Sequence, residues 1–462
     1  CFLRDTLQIS DDGIATVSSG RTYRELSDLG VHRGLRLPPN PSSGDFCTLA
    51  GMVSTNAAGP RSVKYGSVRK WVQAIELVTA DGETGWVDRA ASSPTRDLTV
   101  LSRLEAQARP DVERLRDSIA AKFPKTTKNS SGYALDEYLN SKSPVDLIIG
   151  SEGTLALISR IRFALDPLPS VTGVLRLAIA DLDVLSDIVA TIKSLDPSAV
   201  ELLSSSLLRH SAGDFGLDLA DVEAVLLVEF EGSTNREIRN FLTDGANCCS
   251  RYCHSVEGAT ERSTIDQLWS IRHAASSALA HSPEARRSLQ IIEDGCVPVS
   301  QLGGYLKGVH QIASDVGLEI VAFGHAGDGH LHVNALVDIT DPKFQKRLSE
   351  LLEQVTALLL ELGGTPSGEH GDGRLRAGLL EKFYGEEIVG LFRRVKLAFD
   401  PTGILNPGVI LPDGDDQIGD RLKVGPAAAH LPPEVESRLR QIERDAAWGP
   451  AIEITRNLPQ EG

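Results

Sequence analysis

Twice in succession the chain reads strand, helix, strand. VLRLAIA (Val174–Ala180) is followed by an amphipathic stretch from Asp181 to Leu195 and by VELLS (Val200–Ser204); AVLLVEFEG (Ala224–Gly232) is followed by Asn235 to Thr243 and a strand near Tyr252. Short apolar runs spaced by segments of helical period predict a small antiparallel sheet with helices on one face, an α+β unit of ferredoxin-like type. Upstream, VQAIELVTADGETGWV (Val72–Val87) is two strand-like runs around an Asp-Gly turn, a hairpin signal. Asp146 to Leu165 reads as strand, glycine-containing turn, strand, and Pro167 and Pro169 close it, so a domain boundary is expected there. The first domain then covers 1–166 and the second 167–395.

Within the second domain LQIIEDGCV (Leu289–Val297) is expected as a strand, Ser300 to Val316 as a helix, and LEIVAFG and LHVNALV as further strands. Phe344, Leu348, Leu351, Leu352, Val355, Leu358, Leu359 and Leu362 recur at steps of three and four, the buried stripe of a helix that Gly363 and Gly364 stop. An acidic linker and a helix from Pro433 to Ala447 make up the remainder, 412–462.

At 462 residues the chain has length for two or three domains with a large core. Its net charge of -16, with no face of concentrated Lys and Arg, argues against nucleic-acid or anionic-membrane binding. Six unevenly placed cysteines do not form a secreted disulfide framework, so a reducing, cytoplasmic compartment is expected. No apolar run is long enough for a transmembrane span and no secretory signal opens the chain, which suggests a soluble protein. With Cys1 first and Met52 the only methionine, a preceding segment is expected.

Chemistry concentrates in three glycine-broken stretches. GHAGDGHLHVN (Gly324–Asn334) carries three of the eleven histidines, and on a strand His330, His332 and Asn334 share one side, with His325 in the loop before them. This is either a loop of solvated histidines or a metal or catalytic site, since imidazole is a common transition-metal ligand. GGTPSGEHGDG (Gly363–Gly373) adds Glu369 and His370; it could cap a helix, or complete a site with two earlier histidines, because a catalytic ion commonly takes three protein ligands. GMVSTNAAGPRSVKYGSVR (Gly51–Arg69) suits backbone approach to a flat or anionic ligand, or is a surface loop. Cys248, Cys249, Cys253 and His254 lack paired CxxC spacing and read as small buried hydrophobes rather than thiolate ligands.

PPNPSSGDFCTLAGMVSTNAAGPRSVKYG, NSSGYALDEYL, IIGSEGTLALIS, LWSIR, IIEDGCVP, GHAGDGHLHVN, SGEHGDGRLR and FDPTGILNPG occur in this order between about Tyr23 and Gly408. Together they resemble the FAD-linked D-2-hydroxyacid dehydrogenases of the vanillyl-alcohol-oxidase superfamily, the group with D-lactate dehydrogenase, glycolate oxidase and D-2-hydroxyglutarate dehydrogenase.

The resemblance implies an FAD-binding domain, N-terminally incomplete because the family's pyrophosphate loop lies upstream of CFLRDTLQISDDG, and a ferredoxin-like α+β cap. It implies FAD contacts from Pro41, Ser42, Thr48, Gly51, Asn56, Gly59 and Tyr65, and from Glu152, Gly153, Thr154 and Ile158. Residues 396–411 would return to the FAD domain with Asn406 closing over the flavin. His325, His332 and Glu369 correspond to ligands of a divalent metal, zinc or manganese; Asn334 to a substrate contact; His370 to the proton acceptor; Arg272 to the arginine for the substrate carboxylate. Position 330 is His330 where the family's motif usually has asparagine.

The implied reaction is oxidation of a small D-2-hydroxy acid to the 2-oxo acid, with electrons passed to a quinone, cytochrome or electron-transfer flavoprotein. No iron-sulfur CxxCxxC run follows Gly408. A location at the periphery of the inner membrane and a homodimer are both compatible with this reading. A catalytically silent scaffold without bound FAD is the alternative, and a metal-free flavin chemistry a third. Arg286, Arg287, Arg374 and Arg376 are candidates for a distal carboxylate or for solvent.

Overall fold

The computed structural model describes residues 3–90, 98–210, 219–280, 286–414 and 431–446. The strands of the first lobe are β1 (Leu7–Ile9), β2 (Ile14–Ser18), β3 (Leu35–Arg36), β4 (Val72–Val78), β5 (Thr84–Asp88), β6 (Leu157–Ala164) and β7 (Asp166–Pro167). They form an antiparallel sheet in the order β1-β2-β6-β4-β5 and a two-stranded ribbon, β3-β7. The predicted hairpin is β4–β5, turning at Gly82 with φ 83, a left-handed conformation that glycine adopts without a Cβ clash. Thr22 and Glu25 form a reciprocal capping box that starts the helix Tyr23–Val31.

The second lobe contains β8 (Val171–Ile179), β9 (Ala199–Ser204), β10 (Ala224–Gly232), β11 (Cys253–Ala259), β12 (Arg286–Leu289), β13 (Glu319–His325) and β14 (His330–Asp338). All pair antiparallel, in the order β11-β8-β10-β9-β13-β14-β12. The first four are the ferredoxin-like order, with helices Leu185–Lys193 and Asn235–Cys249 as the crossovers. The β13–β14 hairpin and β12 widen that sheet on the β9 side, and this extension carries the histidine-rich motif.

Helices cover both faces of the sheet, not the one face expected. Leu185–Lys193, Asn235–Cys249, Leu302–Asp315 and Phe344–Glu361 pack on one face, while Leu207, Leu208, Ile265, Leu268 and Trp269 seal the other. The reason is visible in β9 and β10, whose nearly unbroken apolar runs are buried on both sides and so need two covering layers.

Two other expectations change. Asp146–Ile149 is not a strand: Pro144 opens a helical turn, Val145–Ile148, and the buried Asp146 carboxylate accepts from Arg69 and Arg89. The strand LQIIEDGCV stops at Leu289; residues 290–297 are irregular, with Cys296 bridging to both His330 and Thr365. The helical segment Leu380–Phe399, broken by a kink at Gly385, belongs to the core of the first lobe, so the chain re-enters that lobe from Leu380 onward, ahead of the expected position 396. The tail helix spans Pro433–Ala446, and most of the expected linker before it lies outside the described residues. Among the described residues no helix is long and apolar enough to cross a membrane.

Candidate active site

The β13–β14 hairpin ends in a register that puts His325 opposite His330. Gly324 and Gly329 carry positive φ values, and a Cβ on Gly324 would lie 2.7 Å from the His330 carbonyl oxygen, so glycine lets the two strands close up here. His330 and His332 have ring centroids 4.7 Å apart, as the shared strand parity predicted. All three imidazoles are buried, which removes the reading of solvated histidines.

The loop Gly363–Gly373 brings Glu369 onto them. One carboxylate oxygen, Oε1, lies 3.1 Å from His325 Nε2 and 3.3 Å from His332 Nε2; the two Nε2 atoms are 3.4 Å apart. The other, Oε2, accepts from Lys128 Nζ at 2.9 Å and from the Gly59 N–H at 3.4 Å. The loop is not a helix cap: Ser367 donates instead to the buried Asp294 carboxylate at 2.6 Å, which also accepts from the N–H groups of Glu369 and His370. Asp294 thereby fixes the segment that presents Glu369 and His370.

His370 stacks on His332 with centroids 5.1 Å apart, and its Nδ1 lies 2.9 Å from both Glu293 oxygens. Partial desolvation opposes a charge on its ring, which is still about half exposed, but the Asp294 and Glu293 carboxylates outweigh it and push the pKa up to about 10. At His330 burial wins, and the ring is held neutral with a pKa near 3. Glu201, from β9, sits 2.6 Å from His325 Nδ1 and 2.7 Å from Arg272 Nε. Burial would raise its pKa, but those two cations bring it down to about 2.

Arg272 therefore reaches the cluster through Glu201, with its guanidinium 4.8 Å over the Phe323 ring. Asn334 is buried, and its Oδ1 has no hydrogen-bond partner among the described residues. Arg376 is tied to Glu293 and the Gly371 carbonyl, and the exposed Arg374 donates to the Pro407 carbonyl. Arg287 is partly exposed, and the side chain of Arg286 lies outside the described residues.

The stretches expected to meet a cofactor adjoin this cluster. Thr48 caps the helix Leu49–Ser54 by accepting the Gly51 N–H, and Ser42 and Gly51 are exposed beside the half-buried Pro41. Backbone bonds from Gly150 to Val53 and from Glu152 to Ser54 join this stretch to the second one, where Thr154 and Ile158 are buried. A Cβ on Gly153 would meet nothing within 4 Å, and Asn56 turns its unpartnered Oδ1 inward at φ 55.

Gly59 packs so closely on the Asn40 carbonyl that a Cβ would fall 2.5 Å from it. The Asn406 amide donates to the Glu152 carbonyl at 2.6 Å, and the Glu152 carboxylate accepts from the N–H groups of Asp372 and Gly373. Tyr65 points elsewhere: its hydroxyl joins the Arg36–Glu231 ion pair between the lobes. The cysteines of the cluster are free thiols; Cys249 is buried as expected, but Cys248 is exposed and Cys253 half-buried.

Sequence reasoning did not pick out Lys128, Glu201, Glu293 or Asp294. Glu201 carried a signal, a lone carboxylate inside an apolar strand, since a buried charge must be paired.

Two family models match the chain: FAD linked oxidases, C-terminal domain, over residues 168–410, and FAD binding domain over residues 2–88. D-lactate dehydrogenase of Archaeoglobus fulgidus is 29% identical over 405 residues, covering 87% of this chain and 78% of that protein. Glycolate oxidase subunit GlcD of Bacillus subtilis is 29% identical over 413 residues, covering 88% and 77%. D-2-hydroxyglutarate dehydrogenase of Escherichia coli is 27% identical over 431 residues, of which the chain spans only 42% of the length.

Among solved structures, 4-ethylphenol oxidase from Gulosibacter chungangensis superposes with a TM-score of 0.62 at 16% identity, covering 89% of this chain and 79% of that one. Alkyldihydroxyacetonephosphate synthase gives 0.57 at 15%, covering 88% and 66%. At such identities the agreement is one of fold.

Proposed function

Because the chain belongs to the family of FAD-linked oxidases, we propose that it oxidises a small D-2-hydroxy acid, of lactate, glycolate or 2-hydroxyglutarate type, to the 2-oxo acid. It is an oxidoreductase that uses FAD. The observation that carries the substrate reading is the meeting of Glu369 with His325 and His332, three buried donors from one hairpin and a separate loop, next to a base and an open glycine-lined stretch.

The residues fit both groups the family implies. The exposed Ser42 and Gly51, the open flank of Gly153 and the orphaned Asn56 Oδ1 suit FAD, which supplies hydride acceptance. His325, His332 and Glu369 suit a divalent ion of zinc or manganese type, which would polarise the hydroxyl and carboxylate oxygens of the acid.

The rest is done by side chains of this chain. His370 is the assigned acceptor of the hydroxyl proton, and Glu293 holds its Nδ1 so that Nε2 is the working nitrogen; on their own Asp294 and Glu293 keep this imidazole charged, so it would act as a base once a cation on the adjacent His325, His332 and Glu369 offsets those carboxylates. The Asp294 and Glu293 carboxylates stabilise the imidazolium that this transfer produces. Asn334 offers its amide to the substrate. Arg272, held by Glu201, supplies positive charge for the substrate carboxylate. Electrons leave to a quinone, cytochrome or electron-transfer flavoprotein, from a cytoplasmic enzyme, homodimeric or peripheral at the inner membrane.

The alternative of a silent scaffold has no observation in its favour, since every donor of the cluster is in place. Anaerobic mixing of the FAD-loaded chain with D-lactate, glycolate, malate and D-2-hydroxyglutarate, followed by flavin absorbance, tests the proposal. At least one should bleach the flavin, and His370→Ala should slow that by about 100-fold or more. Unchanged bleaching in the variant removes the assigned base.

A further inference from the structure

Three histidines gather around Glu369, and two of them have a carboxylate within hydrogen-bond reach behind the ring. Glu201 lies 2.6 Å from Nδ1 of His325 and Asp294 2.8 Å from Nε2 of His330, whereas Glu293, at 3.6 Å from Nδ1 of His332, is too far to accept its N–H. A carboxylate on the far nitrogen takes the N–H, fixes the tautomer and leaves the opposite nitrogen with a bare lone pair, the usual backing of a metal-ligating histidine. For His330 the bare nitrogen is Nδ1. One donor atom from each of His325, His330, His332 and Glu369 falls within 4.8 Å of all the others.

The ring of His330 is held in one orientation by its neighbours. It is fully buried, and a Cβ on Gly368 would come within 2.6 Å of its Cδ2, so glycine at 368 makes the room it occupies. The neighbour of Nδ1 is the Lys128 ammonium at 3.5 Å, a long contact for an N–H donor, while the same ammonium holds Glu369 at 2.9 Å. A lysine on a flexible stem can yield that contact, whereas the imidazole cannot turn away.

We propose that His330 is a further ligand of the ion, making the centre three imidazoles and one carboxylate and selecting zinc over manganese. The inference rests on reading His325, His332 and Glu369 as a divalent-metal site. Asparagine, the residue usual at this position in the resembling motif, would offer a hard amide oxygen suited to manganese or magnesium, and a third imidazole shifts the preference toward zinc. Zinc tolerates a fifth donor, so a substrate oxygen can still be admitted.

X-ray absorption at the zinc edge of the whole chain loaded with zinc alone counts imidazoles without any substitution. Three is the expected result. Two would overturn the role of His330 while leaving the metal reading intact, and failure to bind zinc at all would overturn both.

Competition titrations of zinc and manganese on His330→Asn give a second measurement. Zinc affinity should fall by at least about tenfold, with manganese affinity held within a factor of about three. Equal losses for both ions, or none for either, would show that Nδ1 merely accepts from Lys128 and would overturn the proposal. Should that variant not fold, the imidazole count in the unaltered chain still decides.

Discussion

A carboxylate in the middle of an apolar strand has to find donors, and Glu201 finds the Arg272 guanidinium and His325 Nδ1. Its pKa of about 2 says that it stays ionised in full burial, so its removal strands both partners. Glu201→Gln should cost about 3–5 kcal/mol in urea unfolding and weaken divalent-ion binding about 10- to 100-fold. Glu152 behaves in the opposite sense. Burial and the nearby Asp372 charge push its pKa up to about 7, so the folded chain binds its proton more tightly than the unfolded chain does. Its contribution to stability is therefore full at acid pH and is lost as pH rises from about 4.5 through 7, by up to about 3 kcal/mol. Unfolding free energies across that range should fall in the unaltered chain and flatten by this amount in Glu152→Gln; equal slopes would refute the assignment.

At the scale of elements, what could be read from the sequence was what depends on neighbours along the chain. The Asp-Gly hairpin and the stripe of the helix Phe344–Glu361 are local, and so is the parity that puts His330 beside His332. Asp146–Ile149 misled because an apolar run of four residues suits a strand or a buried turn equally, and only Pro144 with Arg69 and Arg89 decides between them. Lys128, Glu293 and Asp294 were silent for a different reason. Nothing beside them in the chain requires them, and their meaning appears only when distant segments meet at Glu369 and His370. Residues 380–395 were likewise expected in the second lobe, but Phe392 is buried among Phe123, Tyr133 and Tyr384 of the first core. Gly132 is needed there, because a Cβ would lie 2.5 Å from the Phe392 ring. Phe392→Ala should lower stability by about 3–5 kcal/mol, seen as a lower urea midpoint at unchanged slope. A shift below about 1 kcal/mol would mean that the helix is not part of this core.

Across the whole molecule the candidate site belongs to both lobes. Lys128 and Gly59 come from the first, the imidazoles and Glu369 from the second. Alternate carboxylates of β10 lock the lobes together, Glu229 with Arg61 at 2.7 and 2.9 Å and Glu231 with Arg36 at 2.7 and 2.8 Å. Each is a two-pronged pair that fixes orientation as well as distance. That registry is what allows the proposed FAD-binding stretch to abut the proposed metal cluster, and the proposed chemistry needs both at once. The most direct measurement is flavin reduction by a D-2-hydroxy acid in the FAD-loaded chain, before and after complete chelation, with zinc or manganese then restored. The account predicts bleaching that stops on chelation and returns with the ion; bleaching at an undiminished rate in metal-free protein would contradict it.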